Sequence, residues 1–154
     1  MFVQDADRKL QDEIYNAALA KAQFDLPDAF LKRWLRATNE KITDEELEGG
    51  YNDFAKNLKW TLIENKIMQD NSLEIKYEDV IELAKVRLDQ QFRMYSQQSL
   101  SEEQLSQYAV QYLQNKDNMN KIAEEVKALM VFDFVKNVVT LDKKEISNTD
   151  FGKL

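Results

Sequence analysis

The side chains best suited to chemistry are carboxylates in adjacent groups: Asp44 with Glu45 and Glu46, Glu78 with Asp79, Glu102 with Glu103, and Glu124 with Glu125. Two carboxylates held close together could divide acid and base work between them, or bind a hard cation. The rest of the sequence supports neither use. It has no histidine, which removes the commonest general base and the commonest transition-metal ligand, and no cysteine, which removes thiol catalysis, thiolate sites and disulfides. Di-iron bundles pair glutamate with histidine three residues on, and that pairing cannot be made here. Most of the acidic groups fall in the first turns of predicted helices, where negative charge complements the helix dipole. No GxGxxG, P-loop, HExxH, GxSxG or EF-hand pattern occurs. The residues therefore point away from catalysis, and they call for no cofactor and no metal.

Apolar residues are the better lead. From Tyr51 to Met68 the chain runs without Gly or Pro. At roughly 100° per residue, Tyr51, Ala55, Leu58 and Leu62 fall on one line, while Trp60, Ile63 and Ile67 fall on roughly the opposite side. A surface helix needs a single apolar stripe, so a helix with two is covered twice or keeps one face for another use. The first stripe is expected to pack on neighbouring helices and the second to remain accessible. Similar off-face residues occur later: Leu83 and Met94 on one predicted helix, Phe132 and Val135 on another. With five Met, two Trp, six Tyr and eight Phe, the chain has adaptable apolar surface of the kind that suits promiscuous binding.

The elements that carry these residues read as helices throughout. Only three Gly and one Pro are present, too few for a turn-rich β protein, and helix-favouring Ala, Leu, Lys, Glu and Gln dominate. Asp5 to Gln23 forms the first predicted helix, and Pro27 opens a second that runs to about Thr38, with Phe30, Leu31, Trp34 and Leu35 as a broad apolar face. Thr43 to Glu46 has the capping-box form. Gly49-Gly50 predicts a bend or hinge before the Tyr51–Met68 stretch, which ends at Asn71-Ser72. Leu73 to Ile75 reads as an extended connector. A helix from Tyr77 to about Tyr95 turns Val80, Ile81, Ala84, Leu88, Phe92 and Tyr95 inward. Ser96 to Ser99 reads as a loop. Ser101 to Gln104 forms a second capping box, opening a helix to about Asn115 with Leu105, Tyr108, Ala109, Tyr112 and Leu113 inward. Lys116 to Asn118 separates it from a last long helix, Asn118 to Val138. An extended Val138 to Leu141 and a polar tail from Asp142 to Leu154, with a turn around Phe151, complete the chain.

Composition excludes further classes. The net charge is −7, and basic residues such as Lys41, Lys56 and Lys59 are dispersed among acids, so no phosphate-tracking surface forms and direct nucleic-acid binding is not expected. No apolar run approaches the roughly 18 residues of a membrane span. The start, MFVQDADRKL, lacks the basic and apolar regions of a signal peptide and reads as the inside of a helix, so it is expected to lie at a domain boundary.

Several segments, in order, resemble one family. Phe24-Asp-Leu-Pro-Asp-Ala-Phe-Leu-Lys-Arg-Trp-Leu35 is similar to the helix start of bacterial trigger factor, in which Pro follows an aliphatic residue. Ala37 to Lys41 and Phe54 to Ile67 resemble the version of its C-terminal domain found in Bacteroidetes-type bacteria. Asn71 to Val80 resembles the connector and helix start that follow there, and Val139 to Ile146 resembles the family's closing motif. No single motif is strong, and it is their order and spacing that carry the resemblance.

The resemblance implies an all-α fold, an elongated multi-helix domain of the trigger factor C-terminal or SurA peptide-binding kind, with protruding helical arms. It implies one helical chaperone domain, residues 1–154, excised from a longer protein. The ribosome-docking loop and the FKBP-like prolyl isomerase domain of that protein have no counterpart in this sequence, so contact with the ribosome would run through parts absent here. The expected partners are unfolded or nascent polypeptides, held without catalysis on apolar helix surface, for which the candidate residues are Trp60, Ile63, Ile67, Leu83, Met94, Phe132 and Val135. A homodimer is a second expected partnership. The rival readings are a dimerisation or assembly module of the same protein and a periplasmic SurA-type chaperone domain.

Overall fold

The structure, a computed structural model, describes residues 2–95 and 100–141, with side chains from residue 5 onward. The described residues are all-helical. Helix α1 spans Phe2–Lys21, α2 Asp28–Thr38, α3 Asp44–Asp70, α4 Tyr77–Tyr95, α5 Glu102–Leu113 and α6 Lys116–Val138, and no strand occurs among the described residues. The expected loop at Ser96 to Ser99 and the expected turn around Phe151 lie outside the described residues.

Local chemistry explains most helix ends. Thr43 and Glu46 close a capping box: the Thr43 N–H donates to Glu46 Oε2 at 2.9 Å and the Glu46 N–H to Thr43 Oγ1 at 3.2 Å. Ser101 and Gln104 close a second one at α5. At α4 the Asp79 carboxylate accepts from the Lys76 N–H at 3.0 Å. The stop after α3 is a Schellman arrangement. The Leu73 N–H donates to the Met68 carbonyl at 2.9 Å and the Ser72 N–H to Gln69 at 3.4 Å. Ser72 takes the left-handed position, φ 52°, that glycine usually fills.

Three expectations change. Gly49-Gly50 makes no hinge: α3 is one helix of 27 residues, and neither glycine has a positive φ. Pairs on either side, Lys32 with Glu48 and Asp28 with Tyr51, tie this part of α3 to α2 and offset the weak propensity of the glycines. The stretch from Lys116 to Asn118 is the first turn of α6 and not a separator. Asn115 caps that turn, its Oδ1 accepting from the N–H groups of Asp117 and Asn118 at 2.9 and 3.2 Å. Tyr95, expected inward, is 84% exposed.

The chain divides into two compact units, one being Met68–Val138 and the other containing the helices up to Ile67. In the Met68–Val138 unit, α4, α5 and α6 pack around Val80, Ala84, Ala109, Leu113, Ile122 and Val126, all buried, with Ile75 of the connector and Leu83 against them. Ala84 and Ala109 have no exposed surface, so α4 and α5 approach at small side chains. Burial of each Leu, Ile or Val here contributes on the order of 1.5–3 kcal/mol. Cross-helix ion pairs rim this core: Lys85 of α4 with Glu102 of α5 at 2.8 Å, and Arg87 of α4 with Glu125 of α6.

Among the described residues of the other unit the buried apolar ones are few: Ile14, Leu47 and Tyr51. Helices α2 and α3 form an antiparallel hairpin in which α2 half-buries Leu31 and Leu35 and a polar row runs beside them. Asp28, Lys32 and Arg36 meet Tyr51, Glu48 and Asp44 in turn, each pair 2.6 Å apart. The ring of Trp60 lies against Tyr15 of α1, with centroids 5.0 Å apart.

Candidate functional site

The two apolar stripes of α3 now have distinct surroundings. The Tyr51 end of the first stripe is covered: Tyr51 is buried, and Ala55 and Leu58 are half-buried. Leu62, expected to pack with them, is 43% exposed. On the second stripe Trp60, Ile63 and Ile67 are half-buried, and Trp60 faces α1 through Tyr15. So α3 needs two stripes because two helices cover it, α2 near Tyr51 and α1 near Trp60. The stripe breaks at Leu62, beyond the α2 pairs.

On α4, Leu83 is half-buried against the α4–α6 core, whereas Met94 is 77% exposed. On α6, Phe132 and Val135 are half-buried, and the Lys136 ammonium lies 5.7 Å from the Phe132 ring centre. The candidate residues thus divide between the two units, and Met94 is the one that stands largely free of its own unit.

The most open apolar surface of the first unit is on α2, which sequence reasoning marked as an apolar face without marking it as exposed. No residue of α2 is buried. Phe30 is 55% and Trp34 47% exposed, and Leu31 and Leu35 are half-buried. The signal was present in the sequence as the breadth of that face: Phe30 and Trp34 lie about 100° around the helix from Leu31 and Leu35, too wide for one neighbouring helix to cover. The exposed apolar residues of the Met68–Val138 unit include Tyr77, Val86, Met94, Tyr95, Tyr108 and Val110. Tyr108, expected inward, is 43% exposed and stacks on Phe92 with centroids 5.8 Å apart.

The carboxylate groups are engaged in structure. Glu46 caps α3, and the backbone and side-chain hydrogen bonds from Thr43 lower its pKa. Asp44 pairs with Arg36, Glu102 with Lys85, Glu124 with Lys127 and Glu125 with Arg87. The hydrogen bonds from Lys85 to Glu102 and Glu82 raise the Lys85 pKa, and the bond to Glu125 raises that of Arg87. Among the described residues no group of three or more Asp and Glu is placed to hold a metal ion, and no helix is long and apolar enough to cross a membrane.

No curated protein and no solved structure matches the chain. A family model does: residues 6–154 match the family described as "Probable trigger factor, C-terminal domain". That match covers nearly the whole sequence, agrees with an all-helical chain, and points to a function of the chaperone type. The chain belongs to the trigger factor C-terminal domain family.

Proposed function

We propose that the chain binds unfolded or nascent polypeptides through apolar helix surface, without catalysis of its own. The observation that carries this reading is α2, an amphipathic helix with no buried residue and with two aromatic side chains, Phe30 and Trp34, about half exposed. Such side chains hold extended segments weakly, and several weak contacts along one client add through avidity. Met94 and the partly accessible Trp60, Ile63, Ile67, Leu83, Phe132 and Val135 are the further contact residues of this reading. The acidic surplus keeps the empty surface soluble and opposes self-association. In this reading the protein is cytoplasmic, and ribosome contact belongs to parts outside this chain.

The test is aggregation of a denatured client protein diluted into excess chain. Suppression is expected, and Phe30→Ser with Trp34→Ser, or Met94→Ser, should weaken it while circular dichroism stays helical. Full suppression by all of these folded variants would refute the assignment of the surface. The same exposed aromatics would also serve a homodimer. Sedimentation across a range of concentrations tests that second reading, which a strictly monomeric chain overturns.

A further inference from the structure

Oxidation chemistry in this chain falls on methionine. There are five methionines and no cysteine, so no thiol competes for an oxidant. The four described methionines sit in unlike places. Met94, in the last turn of α4, is 77% exposed, and its neighbours Arg93 and Tyr95 are exposed as well. Met119 and Met130 of α6 are half-buried and pack against the core around Val80, Ala84 and Ala109. Met68, near the end of α3, is half-buried. A peroxide must reach the thioether sulfur to react with it, so exposure orders the four and puts Met94 first. Position also decides what oxidation does. A sulfoxide at Met119 or Met130 brings a polar group against the core and costs stability. A sulfoxide at Met94 stands in water and leaves the core as it was.

We propose that Met94 is a reversible oxidation site through which a peroxide turns down client binding. The Met94 Sδ lone pair attacks one peroxide oxygen, the O–O bond breaks, and the other oxygen takes up the proton and leaves as water. Sulfur is oxidised and the peroxide is reduced. A flexible apolar side chain thereby becomes a polar one, which keeps its water instead of giving it up to an apolar client side chain. Methionine sulfoxide reductases reverse the change. The effect on clients rests on the client-binding reading, whereas the assignment of the site does not.

The experiment treats the full chain with hydrogen peroxide and follows each methionine by peptide mass spectrometry. Met94 is expected to oxidise about tenfold faster than Met68, Met119 and Met130, in line with its exposure. Circular dichroism and the urea midpoint should stay unchanged while Met94 leads. Equal rates at any of the other three, or a falling midpoint at that stage, would overturn the site. The chain oxidised at Met94 then enters the aggregation assay beside untreated chain. Suppression should weaken, return after treatment with sulfoxide reductases for both epimers, and survive peroxide in Met94→Leu, which keeps the apolar bulk and every other methionine. Equal suppression by treated and untreated chain, or loss of suppression on peroxide treatment of Met94→Leu, overturns the switch and leaves the client-binding reading standing. An untreated chain that suppresses nothing overturns that reading and the switch together, and the peptides still decide the site.

Discussion

Tyr51 joins several interactions at one residue. It is 6% exposed, its hydroxyl donates to Asp28, its ring receives the Lys32 ammonium, and Phe54 lies 6.1 Å away. Burial, then the Asp28 hydrogen bond, then the negative charges of Asp28 and Glu48 push its pKa up from 10.0 to about 12. Each cause favours the neutral phenol, so the folded state holds the proton more tightly than the unfolded chain does. The Tyr51 contribution to stability is therefore fully present below pH 10 and is lost as the pH rises from 10.0 toward about 12. Denaturant midpoints measured over that window are expected to fall for the wild type, and Tyr51→Phe should remove the Tyr51 part of the fall. An identical pH dependence in the variant would show that the Asp28 contact does not bear on stability. The sequence marked Tyr51 as an inward residue through periodicity alone. Its bond to Asp28 joins residues 23 positions apart, which no local pattern reveals.

At the scale of elements, the helices whose ends are set by neighbouring residues were legible, and those set by contacts across the chain were not. The boxes at Thr43–Glu46 and Ser101–Gln104 act within three residues, and both formed where the sequence placed them. Helix α4 runs over the range its periodicity implied, Tyr77–Tyr95. Gly49-Gly50 was read as a hinge because propensity counts only the glycines themselves, whereas the pairs to α2 hold the helix on both sides of them. A methyl group at either glycine meets nothing within 4 Å, and neither glycine needs a positive φ. Gly49→Ala and Gly50→Ala are therefore each expected to stabilise the protein by about 0.5–1 kcal/mol, read as a raised urea midpoint. Destabilisation by either change would restore the hinge reading. Asn115 was passed over as a cap because it sits in a run of polar residues that resembles a linker.

Across the whole molecule, buried apolar side chains are distributed unevenly between the two units. The Met68–Val138 unit has a contiguous core with three helices contributing, while among its described residues the other unit buries Ile14, Leu47 and Tyr51, and the ion pairs of its α2–α3 hairpin are exposed. Exposed ion pairs contribute roughly 0–1 kcal/mol each, less than one well-buried aliphatic side chain. Amide hydrogen exchange followed by mass spectrometry should therefore find α4, α5 and α6 more protected than α2, with the slowest exchange near Ala84, Ala109 and Val126. Equal protection in α2 would mean that its polar row stabilises it far more than exposed pairs usually do. The same unevenness suits a chaperone-type chain, which needs a stable support and an open apolar surface together.

The sequence alone determined the helical class, since low Gly and Pro content and 3.6-residue periodicity are local properties that every segment carries. It also determined the family, through the order of segments along nearly the whole chain. Only the tertiary structure decided which apolar residues are covered. Periodicity places residues on a face of their own helix but cannot say which helix meets that face. Trp60 was read as accessible and is half-buried beside Tyr15, Leu62 was read as covered and is 43% exposed, and α2 half-buries Leu31 and Leu35 while it leaves Phe30 and Trp34 open. Each outcome depends on a partner distant in sequence, and burial is a property of the pair.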